Sequence, residues 1–359
     1  MKIIQIMPEF GLAGAETMCE NLVCELIRLG HQVIIISLYD YHSPITDRLE
    51  DFGVQIEYLH KQAGLDISMI SKIKNIIVRE TPDVVHTHRY VMQYAVPAVT
   101  LTHTKHRVHT VHNIAKKEVS YPARVLAKFF YKFCNVVPVA LSPEIQRTVS
   151  QEYHLKKEKI PVIYNGIDLS KCKPKNDYSI DGTMHILHIG RFSTQKNHLG
   201  LIEAFEIFHN QYPDSVLQLI GDGELKHAIE LDVKNRNLSN CVEFLGTQSD
   251  VHSFLHNADI FVLPSNYEGV PMTLIEAMGT GLPIVATKVG GVPDMLSNRE
   301  NALLTAISSK DISDALCELA ASITLRETLG RAAKEHSIKF SSETMAKKYI
   351  DIYSGQLFE

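Results

Sequence analysis

Residues 260–279 read IFVLPSNYEGVPMTLIEAMG. Four consecutive apolar residues predict a buried β-strand, a loop containing Gly269 follows, and apolar residues at helical spacing then predict an α-helix. Strand, loop and helix in this order form the repeating unit of an open parallel sheet, in which ligands bind beside the carboxyl ends of the strands. We therefore expect Glu268 in the loop and Glu276 in the first turn of the helix, both facing a ligand crevice.

Two carboxylates at this place suit a sugar nucleotide. Each accepts two hydrogen bonds, and both ribose and a transferred sugar offer neighbouring hydroxyl donors, while the helix N-terminus attracts phosphate. In the alternative, Glu276 caps its own helix or pairs with a surface lysine, and Glu268 is merely exposed. A second strand, 283–287, ending at Gly290 and Gly291, favours the ligand interpretation.

Composition describes an ordinary globular protein. The chain has 359 residues, 45% hydrophobic and 21% charged, and this length favours two domains. The net charge of -5 argues against general nucleic-acid binding. The six cysteines have no CxxC spacing, which predicts neither a zinc site nor a disulfide framework and fits a reducing cytoplasm. With no signal peptide pattern and no spanning apolar run, we expect a soluble or peripheral protein.

Short apolar runs alternate with amphipathic segments along the whole chain, a pattern that predicts βα units around parallel sheets. We predict strands at 3–7, 33–38, 84–87, 107–110 and 137–141, and then at 186–189, 216–220, 242–244, 260–263 and 284–286.

The polar stretch 171–182 indicates a linker between two halves, and we place the boundary near Gly166. The predicted domains are 1–166 and 167–340. Residues 341–359 contain a capped helix with apolar spacing at Met345, Tyr349 and Tyr353, which we expect to cross back to the first domain.

A charged loop follows the predicted strand 186–189. It contains Arg191 and Lys196, and a planar guanidinium with a mobile ammonium five residues away can hold the two phosphates of a nucleoside diphosphate. An isolated pair of this kind would more often be a solvated loop. Its place at the carboxyl end of a strand favours the phosphate interpretation.

Weaker signals lie in other loops that follow strands. Gly221 belongs to a Gly-Asp-Gly turn that allows close approach of a nucleotide but equally fits ordinary turn chemistry. Gly14 lies where the first strand leads into a helix, and such a loop offers backbone N–H groups to phosphate. His112 follows another strand and is a candidate ligand contact. His86 and His88 are equally well explained as core or rim residues whose hydrogen bonds are made within the protein.

In this order the motifs resemble glycosyltransferase family 4, the retaining sugar-nucleotide transferases with two facing Rossmann-like domains and a deep interdomain cleft, called the GT-B fold. The resemblance covers nearly the whole chain. It is carried by the segments 13–16, 30–33, 164–168, 190–191, 196–197, 268–276 and 290–291.

The resemblance implies a role for each matching residue. Arg191 and Lys196 would bind the donor diphosphate, Glu276 the ribose, and Glu268 the donor sugar, with His112 close to the reaction centre; Glu268 and His112 are thus the catalytic candidates. The first domain would face the acceptor and the second would bind the donor, which we expect to be a UDP-sugar. Further donor contacts are expected from glycines and from the loop after Glu268: Gly14, Gly221, Gly269, Val270, Pro271, Met272, Thr273 and Leu274.

Family membership further implies retention of anomeric configuration without a metal or other cofactor. No Asp-x-Asp cluster lies at a strand end, and Arg191 and Lys196 can neutralise the leaving diphosphate. Front-face attack, with the leaving phosphate accepting the acceptor's proton, is the hypothesis for the chemical step.

Two departures from the family pattern concern the ligand loops. Ala13 replaces the first glycine of the usual Gly-Gly-Ala-Glu loop, which bears on phosphate approach. Val270, Pro271 and Met272 stand where the family often has an aromatic residue or leucine, which bears on the sugar that fits.

Three other functions remain as alternatives. A glycosidase also uses two carboxylates but needs no diphosphate clamp. A sugar-nucleotide epimerase of the same fold binds the same ligand, and a non-catalytic sugar-nucleotide-binding protein would keep the same contacts.

Residues 121–135 predict a basic amphipathic helix. Arg124, Lys128 and Lys132 recur every four residues beside an apolar face that includes Phe129 and Phe133. Such a helix can lie on an anionic membrane surface, and an ordinary domain helix with a solvated cationic face is an equal alternative. On the membrane interpretation the protein is cytoplasmic and peripheral at the inner face of the membrane. We expect the acceptor to be a saccharide and, on the membrane interpretation, a lipid-linked saccharide, as in the building of a bacterial surface polysaccharide.

Overall fold

The computed structural model describes residues 1–11, 14–102, 104–248 and 250–356. The chain divides into two compact units, residues 1–166 together with the chain from 342 onwards, and residues 167–341. Each unit is built on one six-stranded sheet whose strand pairs are all parallel.

The first unit has the strand order β3-β2-β1-β4-β5-β6. Its central strand β1 buries Ile3, Ile4 and Ile6 completely, as expected where helices cover both faces of a parallel sheet. Its strands and helices are β1 (Lys2–Met7), α1 (Gly14–Arg28), β2 (Gln32–Ser37), α2 (Pro44–Asp51), β3 (Gln55–Tyr58), α3 (Ser68–Glu80), β4 (Val84–His88), α4 (Met92–Thr100), β5 (His106–Val111), α5 (Ala115–Glu118), α6 (Tyr121–Phe133), β6 (Val136–Ala140) and α7 (Pro143–Tyr153).

The second unit has the order β12-β11-β10-β7-β8-β9, so both sheets follow the same doubly wound arrangement. Its core contains Phe205, Phe208 and Val262, all fully buried. Its strands and helices are β7 (Met184–Ile189), α8 (His198–His209), β8 (Ser215–Ile220), α9 (Lys226–Asn235), β9 (Val242–Gly246), α10 (His252–Asn257), β10 (Ile260–Leu263), α11 (Met272–Thr280), β11 (Ile284–Thr287), α12 (Val292–Met295), β12 (Leu303–Thr305), α13 (Ser309–Ala321) and α14 (Ile323–Ser337).

The last helix, α15 (Ser342–Tyr353), belongs to the first unit and packs against α1. Tyr349 and Tyr353 are fully buried. The hydroxyl of Tyr353 accepts a hydrogen bond from Gln5 Nε2 at 3.2 Å, which ties the end of the chain to the central strand of the first sheet.

Two helical features bear on the predictions from sequence. Across the described part of the chain, every helix is too short or too polar to span a lipid bilayer. The first helical turn of α1 begins directly at Gly14, whereas Ala13, which departs from the family pattern, lies outside the described residues.

Candidate functional site

The second sheet reverses its strand order between β7 and β10. Strands β11 and β12 lie on one side of this pair and β8 and β9 on the other, which is the arrangement that opens a ligand crevice at the carboxyl ends. The loop after β7 carries Arg191 and Lys196, and the loop after β10 carries Glu268. The topology thus brings two of the predicted ligand loops to one edge of the sheet.

Glu268 is buried and fully partnered by these two loops. Lys196 Nζ lies 2.6 Å from Glu268 Oε1, and Ser265 Oγ donates to the same oxygen at 2.6 Å. Gln195 Nε2 donates to Glu268 Oε2 at 3.3 Å. Sequence reasoning assigned Lys196 and Glu268 to separate ligand groups and missed both their pairing and the roles of Ser265 and Gln195.

Glycines 290 and 291, in the loop after the neighbouring strand β11, support the Glu268 loop. Gly290 has a φ of 50°, and a Cβ atom at this position would lie 1.9 Å from the carbonyl oxygen of Glu268. The N–H of Gly291 donates to that same oxygen at 3.2 Å. Only glycine combines this left-handed backbone with so close an approach, so the pair fixes the height of the loop above the sheet.

The start of α11 offers free backbone donors. Its first residue is Met272, and the preceding Pro271 has no N–H and provides no side-chain cap. In the described parts of the chain, no group accepts a hydrogen bond from the N–H of Gly269, Val270, Met272 or Thr273. The amide of Leu274, also a predicted ligand contact, donates to Pro271 O at 3.2 Å. Unpaired N–H groups at a helix N-terminus form a natural anion site.

Glu276 lies in the second turn of α11, and the expectation that it would lie in the first turn is wrong. Pro271 keeps an extended conformation, with a ψ of 119°, and the helix begins directly after it at Met272. This start is earlier than expected, so Glu276 is the fifth residue of the helix. Burial raises the pKa of the Glu276 carboxyl to about 7, and the nearby positive charge of Lys171 opposes this shift. Lys171 was not singled out from the sequence, because it lies in the polar stretch that was interpreted as a linker.

Arg191 extends into solvent at the end of β7. Its guanidinium pairs with Glu224 at 3.2 Å, and three quarters of its side chain is exposed. Gly221 lies beside it: a Cβ atom on Gly221 would meet Gly190 O at 2.1 Å, and its φ is 137°. Gly221 therefore allows the loops after β7 and β8 to touch, which is the packing role of a turn glycine.

The first sheet reverses its order between β1 and β4. Arg89 follows β4 with a left-handed φ of 55°, and its guanidinium donates to the buried Glu16 of α1 at 2.6 Å. Non-glycine residues rarely adopt this conformation, and those that do are often found at functional sites.

His112 follows β5 at the same edge of the sheet. Its Nε2 lies 3.0 Å from Nδ1 of His88, and its backbone N–H donates to Glu118 Oε1 at 3.3 Å. Burial lowers the pKa of His112 to about 3, helped by neighbouring His109 and Arg89, so the ring is neutral near pH 7. Burial also raises the pKa of Glu118 to about 7; sequence reasoning missed this residue because no motif contains it.

The predicted cationic row on α6 divides into two parts. Arg124 is largely covered: it pairs with Glu152 at 3.4 Å and its guanidinium lies over the ring of Tyr121. Lys132 is exposed and Lys128 is partly exposed. The inward face carries Ala127, Phe130 and Tyr131, and a second apolar face points to solvent. That exposed face consists of Tyr121, Val125, Leu126, Phe129 and Phe133.

Comparisons with known proteins agree with this architecture. The family model for glycosyltransferase family 4 matches residues 12–171, and that for glycosyl transferases group 1 matches residues 174–336. A galactosyltransferase of Escherichia coli, UDP-Gal:alpha-D-GlcNAc-diphosphoundecaprenol alpha-1,3-galactosyltransferase, is 30% identical over 85% of this chain and 80% of its own length. N-acetyl-alpha-D-glucosaminyl L-malate synthase of Bacillus anthracis is 27% identical over 80% of this chain and 78% of its own.

Solved structures share the fold across nearly the whole chain. A glycosyltransferase from Rickettsia africae superposes with a TM-score of 0.86 at 20% identity, over 99% of this chain and 98% of that one. HepE from Anabaena, solved in complex with UDP, gives 0.85 at 19% identity, over 99% and 100%. With two doubly wound parallel sheets, matches to both family models and relatives at this identity, the chain belongs to the GT-B glycosyltransferases of family 4.

Proposed function

We propose that this protein is a retaining, metal-independent glycosyltransferase that moves a sugar from a UDP-sugar to a saccharide carried on a lipid, in the synthesis of a surface polysaccharide. The observation that carries the proposal is the start of α11. Unpaired N–H groups of Gly269, Val270, Met272 and Thr273 lie in the segment between Glu268 and Glu276. Backbone N–H groups that can bind an anion thus lie between two carboxylates. This order fits a diphosphate bound between a ribose and a sugar, both of which carry hydroxyl groups.

Uridine is the proposed base because of what related proteins use. The name of the Escherichia coli relative gives UDP-galactose as its donor, and HepE was crystallised with UDP-glucose. In this chain the ribose would meet Glu276. Ribose hydroxyls donate hydrogen bonds to a carboxylate, so binding favours the ionised form of a side chain whose pKa burial has raised.

Departure of UDP needs positive charge near the diphosphate. Lys196 and the N-terminus of α11 supply it from groups that the fold holds in place, which is the preorganised stabilisation that lowers a barrier most effectively. The exposed guanidinium of Arg191 adds positive charge from the end of β7. This set supports a reaction without a bound metal. With no enzymic nucleophile assigned, retention follows from front-face attack, in which the acceptor hydroxyl gives its proton to the leaving phosphate.

The exposed apolar face of α6 supports a lipid-linked acceptor. Phe133 is 71% exposed and Phe129 is 52% exposed, and Lys128 and Lys132 lie on the same side of the helix. Aromatic residues beside lysines are typical of a helix that lies in the interface of an anionic membrane. The name of the Escherichia coli relative contains a diphosphoundecaprenol-linked acceptor, which a membrane-bound enzyme would meet directly.

The experiment is product analysis with a panel of UDP-sugars, with and without vesicles containing a lipid-diphosphate saccharide. We expect free UDP in quantity only when the acceptor is present, together with a glycolipid whose new linkage keeps the donor's anomeric configuration. A new sugar nucleotide formed without acceptor would indicate the epimerase instead. Tight UDP-sugar binding with no product from any acceptor tested would indicate a non-catalytic binding protein.

A further inference from the structure

A continuous chain of hydrogen bonds connects His112 with the C-terminal helix. His112 Nε2 meets His88 Nδ1 at 3.0 Å, and His88 Nε2 meets Gln5 Oε1 at 2.8 Å. Gln5 Nε2 donates to the hydroxyl of Tyr353 at 3.2 Å, and that hydroxyl lies 2.6 Å from His86 Nδ1. Gln5, His88 and Tyr353 are each completely buried, so water does not compete for these bonds.

The donors and acceptors in this chain determine where the protons lie. An amide oxygen only accepts, so the bond to Gln5 Oε1 requires a proton on Nε2 of His88. Burial and neighbouring histidines hold the pKa of His88 well below its ordinary value, and its neutral ring therefore carries a lone pair on Nδ1. His112 must then donate to His88 through its own Nε2–H.

One atom of His112 is left with an available lone pair. A neutral ring with its proton on Nε2 has an unprotonated Nδ1, and within the described residues no group hydrogen-bonds to this atom. We infer that His88, Gln5 and Tyr353 are positioning residues that hold His112 as the Nε2–H tautomer, so that Nδ1 accepts a hydrogen bond from a hydroxyl of the sugar substrate.

Tyr353 controls the direction of the chain. Its hydroxyl accepts from Gln5 Nε2 at 3.2 Å, and this contact holds Gln5 Oε1 towards His88. If the amide turned round, His88 would take its proton on Nδ1 and His112 would present an N–H to the substrate instead of a lone pair. The assignment of a sugar hydroxyl rests on the proposed function, whereas the tautomer of His112 does not.

The helix also provides a matched control. Tyr349 lies one turn before Tyr353 on α15, is equally buried, and bonds to Thr110 Oγ1 at 2.7 Å, beyond His86 in the chain. Since Thr110 can accept from His86 without the Tyr349 hydroxyl, Tyr349→Phe removes a buried hydroxyl from the same helix without freeing the Gln5 amide.

The test is nitrogen NMR of the full-length protein labelled at its histidine rings, with His112 assigned by the signal that disappears in His112→Gln. We expect wild type and Tyr349→Phe to show His112 protonated on Nε2. Tyr353→Phe and His88→Leu should show loss of that single tautomer. His88→Gln should restore it, because an amide can accept from His112 and donate to Gln5. Melting curves identify any variant that is not folded.

Activity gives a second, separate readout. Loss of the partner that orients a metal-binding histidine costs about 10- to 100-fold. We expect a fall in kcat/KM of the same order in Tyr353→Phe and His88→Leu, and recovery in His88→Gln. A proton on Nδ1 of His112 in the wild type, or an unchanged tautomer in both folded variants, would overturn the inference. Either NMR result holds whether or not the protein transfers sugar, so the proposed function is judged independently.

Discussion

The ammonium group of Lys196 lies 2.6 Å from a carboxylate oxygen of Glu268, across two loops that follow different strands of one sheet. Both side chains are largely buried. The group expected to hold the donor diphosphate is thus already paired with the group expected to touch the donor sugar. Removing one partner of such a pair leaves a buried charge uncompensated, so each side chain fixes the position of the other.

Replacing Lys196 should therefore affect both binding and stability. For Lys196→Gln we expect affinity for UDP to fall about tenfold or more, since a charge-assisted hydrogen bond contributes about 1.5 to 3 kcal/mol. The free energy of unfolding should fall by about 3 kcal/mol. Calorimetry and chemical denaturation measure the two effects, with Lys234→Gln, an exposed lysine of the same domain, as the control. Unchanged UDP affinity in the folded variant would remove Lys196 from the diphosphate site.

Glu268→Gln tests whether Glu268 contacts the sugar or affects only nucleotide binding. We expect this variant to weaken binding of a UDP-sugar more than binding of UDP, because only the former places hydroxyls against the carboxylate. Equal loss for both ligands would mean that Glu268 acts through Lys196 and does not contact the sugar.

Gly290→Ala tests how the Glu268 loop is held. The added methyl group would meet Glu268 O at 1.9 Å, so the loop must shift, and a displacement near 1 Å can cost about 100-fold in activity. Gly182→Ala is the matched control: its φ is also positive, at 94°, but its Cβ meets nothing within 4 Å. The control should lose about 1 to 2 kcal/mol of stability from backbone strain alone and keep its activity. Equal activity of the two variants would contradict the supporting role of Gly290.

Much of the fold follows from the sequence, and what was missed lies at the sheet edges. All ten predicted strands fall on observed ones, with ends displaced by two residues at most. Strands β3 and β12 were missed. β3 has no fully buried residue and β12 has three residues in all, because an edge strand is covered on fewer sides and needs no apolar run.

The site was less predictable for a different reason. Local order placed Glu268 in its loop, but the helix begins directly after Pro271, earlier than expected, and Glu276 therefore lies in its second turn. The bond between Lys196 and Glu268 joins residues 72 positions apart, and the bond between Gln5 and Tyr353 spans nearly the whole chain. Pairings of this kind depend on sheet order and register, which no local pattern encodes.

Glu276 should make UDP binding depend on pH. Its pKa is raised from 4.5 to about 7, and ribose hydroxyls favour the ionised form, so binding releases a proton and affinity should rise with pH up to about 7. The terminal phosphate of UDP also titrates, near about 6, but that contribution remains in Glu276→Gln. Calorimetry in buffers that differ in ionisation enthalpy measures how many protons are released when UDP binds. Equal proton release by variant and wild type would contradict the ribose role.

The same shift has a defined effect on stability. Between pH 4.5 and about 7, folded Glu276 retains a proton that the unfolded chain has already released. The contribution of this group to stability therefore falls as pH rises through that window and is constant above it. Glu276→Gln should remove this part of the slope, so the variant gains stability relative to wild type at pH 8 but not at pH 4. Parallel stability curves for the two proteins would contradict the raised pKa.

Chelation tests the cationic stabilisation of the leaving group. Because Arg191, Lys196 and the α11 N-terminus are proposed to neutralise the diphosphate, turnover should persist in excess chelator. Arg191→Gln should reduce kcat in the presence and absence of magnesium alike. Complete loss of activity in chelator, restored by magnesium or manganese, would contradict the proposal.

The exposed face of α6 predicts membrane binding that depends on Lys128 and Lys132 but not on Arg124, which the structure pairs with Glu152. Each lysine near an anionic surface contributes about 1 kcal/mol. Lys128→Glu with Lys132→Glu removes two such charges and adds two repulsive ones, so it should reduce binding to anionic vesicles by at least about 30-fold. Phe129→Ser with Phe133→Ser should weaken binding even at high salt, because it removes apolar contact. The control, Lys157→Glu with Lys159→Glu, makes the same change in net charge at exposed lysines of the same domain. If sedimentation with vesicles falls equally in control and test variants, general electrostatics explain the binding, and the support from α6 for a lipid-linked acceptor is lost.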